Sequence, residues 1–154
     1  MTQKDNAGVI MLPPLLYGIA FVIVLALHWF WPMPIFDHGV ALWPGITLIV
    51  LAIGIALWGR RALLAAGTNV NPSLPTTAIV TSGPFRFSRN PLYMALTLLY
   101  LGLTLAVNTW WGIVLLVPLL ITMHRGVILH EERYLEQKFG ETYRQYCSKV
   151  RRYL

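Results

Sequence analysis

GPFRFSRNPLY, the stretch from Gly83 to Tyr93, decides how this chain is read. It lies between apolar blocks and carries Arg86 and Arg89 where charge is otherwise scarce. Asn90-Pro91 reads as a helix start. Asparagine suits the N-cap, where its side-chain oxygen accepts from an unpaired backbone N–H. Proline suits the first helical position, where a missing N–H costs nothing. A cationic loop therefore runs directly into an apolar helix, whose positive end points back at the loop. Such a junction can hold an anionic or polar group at a membrane surface.

Composition points the same way. Of 154 residues, 56% are hydrophobic and only 12% are charged, against roughly 25% charged in soluble domains. The length fits one domain, residues 1–154. The net charge of +6 does not imply a nucleic-acid partner, because the basic residues are interleaved with apolar blocks and form no long run. Membrane lipid headgroups suit that charge better. The single cysteine, Cys147, excludes an intrachain disulfide and a cysteine-based zinc site. No metal-ligand spacing, phosphate loop or nucleophile triad is present.

Four apolar blocks extend around the opening stretch, at about residues 9–31, 40–58, 91–107 and 110–129. Each approaches the ~20 residues that cross a hydrocarbon core. The expected architecture is an all-α integral membrane bundle of four transmembrane helices with a cytoplasmic C-terminal helical segment. Pro13-Pro14 marks the start of the first helix or a short lead-in. Residues 1–8 read as a polar, frayed tail, and 32–39 as a turn-rich connection. Gly45, Gly54 and Gly59 would allow close helix approach. Residues 62–82 are too broken by Gly, Asn and Pro to span and too apolar for a free linker, so an ordered loop is expected. Asn108-Thr109 makes a minimal turn between the third and fourth blocks. Pro118 predicts a kink, and Gly140 splits the amphipathic tail.

All twelve Lys and Arg fall in the N-terminal tail, the 60–90 region or the C-terminal region. The positive-inside rule then puts both termini and the 60–90 loop in the cytoplasm, in a membrane of the bacterial inner type. The two polar-rich pieces that adjoin helix ends, Arg86–Tyr93 and His130–Tyr146, meet on that face. Taken singly, Glu131-Glu132 can be a solvated helix face, Arg86 and Arg89 charge anchors, and Tyr93 an interfacial tyrosine. Their coincidence at one face favours a site, about residues 83–93 plus 124–152.

GPFRFSRNPLY, an apolar hairpin and HEERYLEQKFGETYRQYCSKVRR, in that order, resemble the isoprenylcysteine carboxyl methyltransferase and phospholipid methyltransferase superfamily over about residues 67–152. The resemblance implies an integral-membrane enzyme that uses S-adenosyl-L-methionine. It implies that Arg89, Asn90, Pro91 and Tyr93 contact the cofactor, and that Glu131 and Glu132 reach the cofactor or the reacting group. Tyr143 and Tyr146 would cover the adenosine. Arg86 and Arg152 would lie near a substrate or cofactor carboxylate, giving Arg86 a catalytic role beside the two glutamates. Asn90 replaces the histidine of the carboxyl methyltransferases and matches the phospholipid branch.

These residue types suit the chemistry. The electrophile would be a sulfonium, which carboxylates and aromatic faces stabilise. In-line positioning can supply much of the acceleration. A base is needed only for an acceptor that arrives protonated, and Glu131 or Glu132 could serve. The acceptor would be a lipophilic carboxylate, amine or thiol reaching the site through the bilayer. A four-span transporter and a lipid-binding adaptor are the alternatives. A transporter commonly carries an ionisable group at mid-membrane, and the centres of these blocks have no Asp, Glu, Lys or Arg.

Overall fold

The structure, a computed structural model, describes residues 6–37 and 40–153. Most of the expected frayed tail, and residues 38 and 39 of the 32–39 connection, lie outside the described residues. No strand occurs among those described. In chain order the helices are α1 (Pro13–Phe30), α2 (Leu42–Ala65), α3 (Pro91–Val107), α4 (Trp110–Met123), α5 (Leu129–Phe139) and α6 (Glu141–Lys149). A 3₁₀ turn, Gly83–Arg86, precedes α3, and a π turn, His124–Ile128, joins α4 to α5.

Three helices are long and apolar enough to cross a membrane: Pro13–Phe30, Leu42–Ala65 and the continuous Trp110–Phe139. The sequence predicts four. The remaining apolar helix, α3, has 17 residues, roughly 25 Å at ~1.5 Å per residue, somewhat short of a core of about 30 Å. Its ends are set by Pro91 and by Asn108, which takes a left-handed conformation at φ 57°. Val22, Val50 and Val117 are 65%, 62% and 62% exposed on the outward faces of α1, α2 and α4. Apolar surface on this scale belongs in lipid. The protein is a membrane protein.

Two boundaries differ from expectation. Residues 9–12 are not part of α1 and cross the bundle end as a strap, where the Ile10 N–H donates to the Gly126 carbonyl at 3.1 Å. The second helix continues through Arg60 and Arg61 to Ala65, because Ala62-Leu63-Leu64-Ala65 are strong helix formers. It stops where Gly67 turns to φ 67° and the Thr68 N–H returns to the Leu63 carbonyl at 3.2 Å.

Glycine sets the closest helix contact. A Cβ on Gly45 would stand 2.8 Å from the Gly102 carbonyl oxygen, and one on Gly102 would stand 2.8 Å from the Gly45 oxygen. The backbones of α2 and α3 therefore touch, as small residues allow where helices meet in lipid. Gly59 similarly admits Leu92, whose Cδ2 would lie 2.7 Å from an added Cβ. Gly54 has nothing within 4 Å and takes no part in close packing. The main core joins Tyr17 and Val24 of α1, Tyr100 of α3 and Leu119 and Met123 of α4. Tyr17 meets Tyr100 edge-on at 6.1 Å and hydrogen-bonds the Thr97 hydroxyl at 2.7 Å.

The Asn108-Thr109 turn forms as expected. It also clamps the 31–37 connection: Asn108 Oδ1 accepts from the Phe36 N–H at 3.0 Å, and its Nδ2 donates to the Phe36 carbonyl at 2.7 Å. The helix continues past Pro118, and the departure from α geometry falls at His124–Ile128. Gly140, at φ 51°, separates α5 from α6. That return packs Tyr143, Tyr146 and Val150 against Leu135, Phe139 and Ile79.

Candidate active site

The loop before α3, the start of α5 and the segment after α6 converge at one end of the bundle. Successive residues of a helix point about 100° apart, so Glu131 and Glu132 face different partners. Glu131 Oε2 accepts from the Tyr93 hydroxyl at 2.5 Å, linking α5 to the first turn of α3. Glu132 turns to two arginines. Arg152 donates to it from Nε at 2.9 Å and from Nη2 at 2.7 Å, and Arg89 Nη1 lies 3.3 Å from Oε1. The Glu132 side chain is 15% exposed and that of Arg89 14%. The paired Glu132 carboxylate raises the Arg152 guanidinium above its usual pKa.

Residues 150–153 hold the loop in place. The Arg89 N–H donates to the Arg151 carbonyl at 3.0 Å. Ser88 Oγ and Asn90 Nδ2 both donate to the Arg152 carbonyl, at 3.2 and 3.0 Å. This corrects the expectation for Asn90. It occupies the N-cap position, yet its side chain makes no capping bond, because its amide is turned onto the Arg152 carbonyl. The Asn90 N–H is in turn satisfied by Ser88 Oγ at 3.1 Å. Pro91 stands at the first helical position, as expected.

Arg89, Asn90, Pro91, Tyr93, Glu131, Glu132, Tyr143 and Tyr146 line one cavity of about 100 Å³. Its remaining wall comes chiefly from Asn69, Val70, Thr76 and Ile79 of the long loop. The Tyr146 hydroxyl donates to the Phe85 carbonyl at 2.7 Å. Burial pushes the Tyr146 phenol up to about 12. Burial, and then the Glu132 charge, raise Tyr143 as well. Both are neutral donors at ordinary pH.

Arg152 reaches the cluster through Glu132. Arg86 does not reach it: this residue is exposed, with its guanidinium 4.5 Å from the centre of the Phe87 ring. Two participants escaped the sequence reading. Cys147 Sγ lies 2.6 Å from Arg89 Nη1, and the Tyr134 hydroxyl accepts from the Thr76 N–H at 3.1 Å. The spacing of Cys147 from Tyr143, one helical turn, is the signal that could have placed it on this face.

A second and larger hollow, about 820 Å³, lies beside the first. Ile55, Met94, Leu98, Leu120 and Ile121 give it apolar walls, and His124, Arg125 and Tyr153 edge it. Tyr93 borders both spaces.

A helical membrane protein with a charged, aromatic-walled cavity at one end of the bundle, next to an apolar groove, has the layout of an integral-membrane enzyme for lipid-related substrates. The chain belongs to the phospholipid methyltransferase family, whose model matches residues 40–142. That span takes in α2, α3, α4 and both glutamates. An uncharacterized protein of Haemophilus influenzae is 38% identical over 66 residues, covering 41% of this chain and 100% of the relative. No solved structure matches the chain.

Proposed function

We propose that this chain transfers a methyl group from S-adenosyl-L-methionine to a lipophilic acceptor at the cytoplasmic face of the membrane. In this reading residues 1–154 are one membrane domain. The shorter α3 is the fourth span, both termini are cytoplasmic, and the membrane is of the bacterial inner type. The observation that carries the reading is the Tyr93–Glu131 hydrogen bond, which stands between a polar cavity and an apolar groove.

The residues present fit the cofactor. Arg89 Nε is buried and has no hydrogen-bond partner among the described residues, a donor suited to a carboxylate. Glu132 supplies negative charge, and Tyr143 and Tyr146 aromatic faces, suited to a cation. When bound, S-adenosylmethionine supplies a methyl group on a positively charged sulfur. Arg89, Glu132, Tyr143 and Tyr146 would hold it, with Asn90 and Pro91 shaping the wall. Tyr93 is a positioning residue that fixes the Glu131 carboxylate. Glu131 would orient the acceptor and take its proton where it carries one. Arg152 keeps Glu132 in register, and Arg86 serves as a surface cation.

The cavity of about 100 Å³ is below the roughly 300–1,000 Å³ common for ligand sites. A wall has to yield, and in this reading it is the loop at 69–80, which has no helix of its own. Its ties include Thr76 to Tyr134, Asn69 Nδ2 to the Pro75 carbonyl at 2.7 Å, and Thr77 N–H to Thr68 Oγ1 at 3.0 Å. Its displacement admits the cofactor.

The test is saturable binding of S-adenosylmethionine to the purified protein, followed by methyl-labelled cofactor with a lipid extract. Binding that is weakened at least tenfold by Glu132→Gln, with label appearing in the lipid fraction, supports the reading. No saturable binding to the native protein would refute it.

A further inference from the structure

The loop between α2 and α3 has a build of its own. At its neck, Thr77 Oγ1 donates to the Gly67 carbonyl at 2.8 Å, and the Thr77 N–H donates to Thr68 Oγ1 at 3.0 Å. One step further in, Asn69 Nδ2 donates to the Pro75 carbonyl at 2.7 Å. At the tip, the Ser73 N–H turns back to Asn71 Oδ1 at 2.9 Å and the Leu74 N–H to the Asn71 carbonyl at 3.0 Å. A compact surface loop whose ends meet is an Ω-loop. The bonds at its neck and tip are internal, so it can tilt without losing them. Its base stands on the end of α2, where Gly67 takes φ 67°. Asn69, Val70, Pro72 and Thr76 of this loop line the polar cavity. Helix α5 lines the same cavity through Glu131, Glu132 and Leu135. From α5 the Tyr134 hydroxyl accepts from the Thr76 N–H at 3.1 Å. Lys138, one helical turn along, donates to the same oxygen at 3.0 Å and stands 5.3 Å from the centre of the ring, which holds the phenol in place. A longer bond, 3.4 Å from the Ala7 N–H to the Pro72 carbonyl, ties the loop to the N-terminal segment.

We propose that residues 67–77 are a hinged lid over the cofactor cavity, and that the Thr76–Tyr134 bond is a latch that works against cofactor entry. The proposal rests on the methyl-transfer reading only in making S-adenosylmethionine the molecule that enters. The latched lid leaves about 100 Å³, against the roughly 300–1,000 Å³ common for ligand sites. The latch and a filled cavity therefore exclude one another. Opening breaks the bond at Tyr134 and keeps those at the neck, so the lid swings on its two ends and settles over the cofactor further out. Whatever the latch contributes to the closed lid is subtracted from cofactor binding. Tyr134 thus lowers affinity, although it belongs to the helix that carries Glu131 and Glu132. The bonds inside the lid have the opposite effect, because an ordered lid covers what has entered.

The full-length protein in detergent micelles is compared with Tyr134→Phe, which keeps the ring beside Lys138 and removes the oxygen. Amide hydrogen exchange is read residue by residue by NMR without cofactor. Thr76 is expected to exchange roughly two- to tenfold faster, the range for loss of one hydrogen bond. Ser73, Leu74 and Thr77 are expected to stay within about twofold of native, because their bonds lie inside one cooperative unit. Binding of S-adenosylmethionine, measured by calorimetry, should tighten in Tyr134→Phe by the same roughly two- to tenfold. Thr77→Val removes the neck bond to Gly67 and keeps the latch. It should quicken exchange at Ser73 and Leu74 and weaken binding by roughly two- to tenfold. A tyrosine of merely structural use would weaken binding in both variants. Native exchange at Thr76 in Tyr134→Phe overturns the proposal. So does exchange that quickens alike across residues 73–77, which is melting, or an affinity that falls or stays level once Thr76 is released. Exchange as expected in a protein that binds no S-adenosylmethionine refutes the methyltransferase reading and leaves the hinged loop standing.

Discussion

Tyr93→Phe removes one oxygen and nothing else. The ring still fills its place in the core of α1, α3 and α4, so packing is conserved. What is lost is the 2.5 Å bond to Glu131, the single hydrogen bond of that carboxylate among the described residues. The separation is at the short end for an O–H···O bond, in the range of charge-assisted pairs. Hydrogen bonds to charged groups contribute about 1.5–3 kcal/mol. If the bond holds Glu131 in its working orientation, each ~1.4 kcal/mol lost is a tenfold loss of rate. The turnover of methyl-labelled cofactor into lipid should therefore fall by about 10- to 150-fold. Cofactor affinity, measured by calorimetry on the same preparation, should change less than threefold, because Arg89, Glu132, Tyr143 and Tyr146 are untouched. The split between kcat and affinity identifies a positioning role. A tyrosine that merely sits at the membrane interface would give a turnover within twofold of native, and that result refutes the reasoning.

Gly102→Val puts side-chain atoms where Gly45 oxygen and Ile49 already stand within 3 Å of an added Cβ; overpacking of this sort costs about 1–3 kcal/mol or more, and thermal unfolding in detergent should show a lowered midpoint. Gly54→Ala, with nothing within 4 Å, is the matched control and should leave the midpoint unchanged or raise it slightly. Arg152→Ala leaves Glu132 with Arg89 as its one ion-pair partner; because Arg152 is itself 35% exposed, the loss should be modest, about 1–2 kcal/mol, read as a roughly 5- to 30-fold weaker cofactor affinity. Arg86→Ala, on an exposed side chain stacked on Phe87, should keep turnover within twofold. Hydrogen exchange at residues 69–80 should slow by at least tenfold when S-adenosylmethionine is added, if that loop is the wall that yields and then closes.

What could be read from the residues depended on how local each determinant is. The helices of the bundle were legible because apolar length is a property of a single segment. Their ends were less so: nothing inside Arg60–Arg61 says whether charge stops a helix or rides on it, and Ala62–Ala65 decided for continuation. Residues 91–107 look like a full span because Pro91 and Asn108 bound an unbroken apolar run, yet the same two residues make that helix short. The acidic pair and the cationic loop could be matched by charge, but pairing required knowing which residue faces where. Glu132, not Glu131, takes both arginines. Arg89 turns inward and Arg86 outward from one loop, because the 3₁₀ turn at Gly83–Arg86 separates their directions. The groove was not legible at all, since most of its lining residues look like ordinary span residues until α1, α2, α3 and α4 are packed.

The segment after α6 shows why the two spaces belong together. Arg152 and Tyr153 are neighbours in a short stretch with no helical structure. The first sends its side chain to Glu132, on the wall of the polar cavity. The second sends its side chain to His124, at the edge of the apolar groove. The same stretch gives its backbone carbonyls to Arg89, Ser88 and Asn90. Three donors thus hold the backbone of this segment through the carbonyls of Arg151 and Arg152. Glu132 and the end of the groove are joined through neighbouring residues of one segment. The carbonyls of Arg151 and Arg152, which accept no helical bond of their own, are the acceptors that Ser88, Arg89 and Asn90 use. The disorder of pattern in the last residues of the sequence is what allows them to bind the loop, the acidic pair and the groove at once.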